Sequence, residues 1–109
     1  MRTPQSRYVA HVLDHYVTLP GTLRRVLRQD RRTALALYRR GVGLDIVQNA
    51  FVLAVARRTF RSDAGHLEPI RGLQYFVPVV DELLEAPPLP EYLDYLKNRL
   101  INAGVLSPV

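Results

Sequence analysis

The sequence predicts an all-α fold: a compact bundle of four to five helices around a central hydrophobic helix at about residues 44–61, with a helix-turn-helix-like hairpin at 30–61. Three observations carry that prediction. Apolar residues recur at helical spacing through most of the chain, and no stretch sustains the alternation of a strand. Pro-Gly, Gly and Pro-Pro signals divide the chain into five helical segments. One segment, built on AFVLAVA at 50–56, is apolar on nearly every side, as a helix surrounded by other helices must be. A chain of 109 residues has length for one domain with one core, so 1–109 reads as a single helical domain.

The elements follow in order. Tyr8, Val9, Val12, Leu13, Tyr16 and Val17 form a helical stripe that leaves Arg7, His11, Asp14 and His15 outside it, and Pro20-Gly21 ends the helix. Leu23, Val26 and Leu27 then read as a turn or loop. Asp30 is a credible N-cap for a helix reaching Arg40, with Gly41 after two arginines as its C-terminal signal. The central helix runs from about Leu44 to Arg61. RSDAGHLEP, residues 61–69, reads as a loop, and IRGLQYFVPVVDELLEA as a helical region that must kink or restart at Pro78, which has no amide proton to donate. Pro87, Pro88 and Pro90 close it. Pro90 suits a first helical turn, and Tyr92, Leu93, Leu96, Leu100 and Ile101 complete a last amphipathic helix ending at Gly104.

Composition narrows the function classes. Hydrophobic residues at 48% and charged residues at 23% place the chain among globular proteins. With no cysteine, a disulfide framework, a thiolate metal site and a cysteine nucleophile are all excluded. The longest apolar run is far short of a membrane span, and MRTPQSRYVAHV lacks the apolar region of a signal peptide, so we expect a cytoplasmic protein with no membrane partner. There is no glycine-rich phosphate loop and no serine in a nucleophile-elbow context. HVLDH at 11–15 sets His11 and His15 one helical turn apart beside Asp14, a spacing two imidazoles can share on a metal, but His66 is the only other histidine. We read this stretch as a solvated or salt-bridged helix face. The chain is expected to be no enzyme and to carry neither cofactor nor metal.

The net charge of +5 is distributed unevenly. Residues 1–21 carry +1, residues 22–61 carry +8, and residues 62–109 carry −4. Fourteen of the fifteen basic residues are arginine, the side chain whose planar fork best matches phosphate. If 30–40 and 44–61 are antiparallel about a turn at 41–43, Arg24, Arg25, Arg28, Arg31 and Arg32 come near Arg57, Arg58 and Arg61 at the open end of the hairpin. Converging cations call for an anion, and a polyanion is the partner this predicts. The competing expectation is that acids of the second half pair with these arginines inside the fold.

RRTALALYRRGVGLDIVQNAF, residues 31–51, resembles a helix-turn-helix in outline. The separation of Ala36, Gly41 and Val47 is one residue longer than the familiar spacing, and Asp45 would repel phosphate where a recognition helix begins. The stretch therefore reads as a core hairpin whose arginine-bearing end touches backbone phosphates, with Gln48 and Asn49 the best candidates for any base contact.

RRTALALYRRGVGLDIVQNAFVLAVARR followed by IRGLQYFVPVVDELL resembles, over about half the chain, the DnaD-like helical domains of replication initiation and primosome proteins. The matching positions are Leu37, Gly41, Val47, Ala50, Tyr75, Phe76 and Val79. The resemblance implies DNA binding and contact with replication proteins.

The first functional expectation is thus a small, basic nucleic-acid-binding accessory protein of replication, recombination or a mobile element, with DNA ahead of RNA. The alternative is a protein-interaction or assembly subunit, such as a ribonucleoprotein small subunit, that meets its partner through the acidic surface of 81–94 and Leu89, Val105 and Leu106. A protein partner or a homodimer is compatible with either.

Overall fold

The structure, a computed structural model, describes residues 3–61 and 67–107. It is all-α. The order is α1 (Pro4–Tyr16), α2 (Arg28–Arg39), α3 (Leu44–Thr59), a 3-10 turn (Leu73–Phe76) that continues directly into α4 (Val77–Glu85), and α5 (Pro90–Asn102). Among the described residues, extended backbone pairs only at an isolated parallel bridge between Thr22 and Ile70.

Helix ends show why these residues form these elements. Thr3 caps α1, its hydroxyl accepting the Ser6 N–H at 3.1 Å, with Pro4 in the first turn. α2 begins three residues earlier than an N-cap at Asp30 would place it. Leu27 is the N-cap, and Asp30 sits inside the first turn, where its carboxylate accepts the Leu27 N–H at 2.8 Å. A carboxylate in the first turn can reach back to the N-cap amide, so Asp30 serves the helix start from within it. Gly41, at φ 75°, ends α2 in the left-handed conformation that glycine adopts without strain, while the Val42 N–H bonds back to the Leu37 carbonyl. Pro78 falls in the first turn of α4 and marks the restart from the 3-10 turn. Residues 70–72, expected as the start of this helical region, are extended instead, and a side chain at Gly72 would press on Asp30 and Gln29, 3.3 and 3.4 Å from its Cβ.

α3 is the central element, burying Val47, Ala50, Phe51, Leu53, Ala54, Val55 and Ala56. It packs against α1, α4 and α5, while α2 packs mainly on α1 and the 3-10 turn. The hairpin of α2 and α3 is therefore splayed. Its two helices lean on shared neighbours, because α2 has a narrow apolar face and α3 needs cover all around. Buried side chains from every helix join in one core that includes Val12, Tyr16, Leu37, Phe51, Phe76, Val80, Leu96 and Leu100. Phe76 stands at its centre, edge-on to both Phe51 and Tyr16.

Asp30 is the one buried charged residue among those described. Its second oxygen accepts the Leu73 N–H at 2.9 Å, so a single carboxylate caps α2 and ties it to the 3-10 turn. Neighbouring Tyr16 is fully buried, and its hydroxyl has no hydrogen-bond partner among the described residues. Burial, with the Asp30 charge adding to it, pushes the Tyr16 phenol up to about 12.

Candidate nucleic-acid interface

The structure separates the sequence-predicted arginines into two groups. In α2 the buried face is Asp30, Ala34 and Leu37. At about 100° per residue, Arg28, Arg32 and Arg39 lie within about 40° of one another on the opposite face, with Arg31 beside them. All four are exposed. Arg24 and Arg25 are exposed in the preceding loop, Arg24 at φ 58°, a left-handed conformation uncommon outside glycine. Among the described residues none of these six side chains meets a carboxylate.

The other group is engaged. Arg57 makes a two-pronged pair with Glu82 of α4, one hydrogen bond at 2.8 Å and a shorter partner. This holds the Glu82 carboxyl below the usual carboxylate range. Arg40 pairs with Asp81 on the same helix. Internal pairing with the acidic half thus accounts for Arg40 and Arg57, and not for the face of α2. Arg57 points toward α4, and the expectation that it converges with the α2 arginines is corrected by that contact. Arg58, the next residue round the helix, turns the other way. It lies over Gly21, donates to the Glu68 carbonyl at 3.0 Å, and sits 5.7 Å from the centre of the Tyr75 ring.

None of Arg24, Arg25, Arg28, Arg31 and Arg32 lines the groove that holds Arg58 and Arg61. Arg58 and Arg61 line a groove of about 710 Å³ that Gln29, in the first turn of α2, also lines. Arg71, Gln74 and Tyr75 also line it. Arg39, Arg71 and Gln29 are not among the site residues the sequence points to, and Tyr75 is read there as a position of the DnaD-like resemblance and as one of six tyrosines able to stack on a base but more in keeping with core or rim. For Arg39 the signal was available, since it shares a helical face with Arg28 and Arg32; the other three are placed by contacts between distant segments.

Gln48 and Asn49 are elsewhere. Gln48 lies about 13 Å along α3 from Arg57. Gln48 and Asn49 line a second groove, of about 540 Å³, walled by His15, Asp94 and Lys97, to which α2 contributes nothing. Gln48 contacts His11 at 3.1 Å. A base read by these amides would have to enter that groove and not the arginine face. His15 stands edge-on to Phe51, with ring centres 5.0 Å apart; burial, then the nearby His11 and Lys97, lower its pKa. The two histidines are thus occupied by packing and an amide contact, and His66 lies outside the described residues.

No family model, curated protein or solved structure matches the chain. No described helix is long and apolar enough to cross a membrane.

Proposed function

We propose that the chain is a non-enzymatic, cytoplasmic nucleic-acid-binding protein, an accessory factor of replication, recombination or a mobile element, with DNA ahead of RNA as its ligand. Phosphates are held by Arg28, Arg31, Arg32 and Arg39 of α2, with Arg24 and Arg25 from the loop before it. One observation carries this reading: α2 presents its arginines to solvent with no acidic partner among the described residues, although the same fold supplies carboxylates to Arg40 and Arg57. Arginines crowded at a helix N-terminus repel one another and the helix dipole, and a bound polyanion relieves both. The resemblance to DnaD-like domains points the same way.

A second reading has its own support. Leu84, Leu89, Tyr92 and Tyr95 are large and exposed, and they lie on the acidic α4–α5 side. An assembly subunit or homodimer would use that surface. The two readings are compatible, since the arginine face lies on another helix.

The test is fluorescence anisotropy with labelled single- and double-stranded DNA and RNA over a salt series, with light scattering for mass. Binding that weakens steeply as salt rises supports phosphate neutralisation. Failure to bind any of the four at low salt removes the first reading and leaves the second.

A further inference from the structure

We infer that the ligand is single-stranded nucleic acid and that Tyr75 is the platform on which one unpaired base stacks. This rests on the phosphate-binding reading above and narrows it. Tyr75 is 44% exposed although it sits beside Phe76, which is buried in the core. The two rings meet edge to face with centres 5.2 Å apart, so Phe76 braces Tyr75 at the surface. A rigid, half-exposed aromatic on a braced turn has the geometry of a stacking surface.

Its surroundings suit a nucleotide. Arg58, Arg61 and Arg71 line the same groove, and Arg58 is close enough to the ring for a cation–π contact. The amides of Gln29 and Gln74 stand on its walls and carry both donors and acceptors, as a base edge requires. The volume of about 710 Å³ lies in the range of clefts that accept small molecules. Glu68 also lines the groove, but it is 82% exposed and lies 3.8 Å from Arg71, which offsets its charge toward phosphate.

The preference for a single strand follows from where the ring lies. Tyr75 is set in a groove between the first turn of α2 and the segment leading to the 3-10 turn, and only a base free of its pairing partner can turn a face onto it. Gln29 and Arg28 share the first turn of α2, so the groove and the arginine stripe meet the same end of that helix. A strand whose phosphates follow Arg39, Arg32 and Arg28 would deliver a base to Tyr75 at the helix start.

The experiment uses the full chain, single-stranded DNA and RNA oligonucleotides carrying one 5-iodouracil, and a DNA duplex of matching length. Anisotropy is measured for wild type, Tyr75→Phe and Tyr75→Ala, and the wild-type complexes are photo-crosslinked and mapped by mass spectrometry. Expected are tighter binding of a single strand than of the duplex, and a crosslink at Tyr75. Tyr75→Ala should lose about 5- to 100-fold on the single strand. It should stay unchanged on the duplex, and Tyr75→Phe should bind as wild type. DNA and RNA arms decide which sugar is preferred, and tight binding of either supports the inference. Duplex preference, or a crosslink elsewhere with Tyr75→Ala binding as wild type, overturns the stacking inference while phosphate binding stands. Absence of binding to every probe overturns both.

Discussion

α3 buries Val47, Ala50, Phe51, Leu53, Ala54, Val55 and Ala56, whereas α2 buries only Ala34, Leu37 and the carboxylate of Asp30. The two helices follow one another in the chain and together carry six of its fourteen arginines. α3 is held by apolar burial on all sides, and its neighbours bring acids and carbonyls to Arg57 and Arg58. α2 is held along one narrow face, partly by a polar clamp, and its opposite face is left to solvent. The difference teaches where function can be placed: a helix anchored on one side only has a whole surface to offer a ligand.

Phe51→Ala removes an aromatic that contacts Phe76 and His15, and should cost about 3–5 kcal/mol of stability by denaturant unfolding. A loss below 1 kcal/mol would mean that α3 is not the central element. Asp30→Ala should cost about 2–4 kcal/mol, because the Leu27 and Leu73 amides both lose their acceptor and the latter bond is buried. If it costs no more than an exposed substitution on α2, the polar clamp is not what holds that helix.

Tyr16→Phe should act in the opposite direction. Its hydroxyl is buried without a partner, so its removal should raise stability by up to about 1 kcal/mol. The pH dependence has a definite sign. The folded-state value of about 12 lies above the ordinary 10.0, so between them the native state keeps a proton that the unfolded chain has released. Wild type should therefore lose stability as pH rises above 10, and Tyr16→Phe should lose less over that window. Equal alkaline sensitivity would place the phenol in a different setting.

The smallest effect is expected at Arg57. Glu82 has its pKa depressed, so the stabilisation from this pair is present above the ordinary carboxylate range and lost as pH falls through the lowered value. Arg57→Ala should raise the Glu82 carboxyl back toward the ordinary carboxylate range, read by NMR titration, with the least change in Tm of the four variants. A Glu82 titration unmoved by the substitution would break the pairing on which the contrast between α2 and α3 depends.

Much of the fold is legible in the sequence. The encircling apolar residues of 44–61 mark a central helix, Gly41 marks its predecessor's end, and Pro78 marks a restart, since each signal is local. Asp30 shows the limit. Its helical start could be anticipated, but its bond to Leu73 joins positions 43 residues apart and leaves no periodic trace. Arg57 and Arg58 show another. Their divergence is inherent in neighbouring positions on a helix, yet which of them meets an acid depends on how α4 is laid against α3. Tyr75 and Phe76 sit on a 3-10 turn too short for a pattern to say which is inside.

On the function proposed above, the arginine face of α2, and not Arg57, binds phosphate. That assignment is tested most directly by comparing the salt dependence of single-strand binding for wild type, Arg57→Ala and the triple variant Arg28→Ala, Arg32→Ala, Arg39→Ala. The triple variant should reduce the slope of log K against log salt by about 2, from about 0.7 for each phosphate contact, and Arg57→Ala should leave it unchanged. Equal slopes for wild type and the triple variant, or a loss confined to Arg57→Ala, would contradict that assignment.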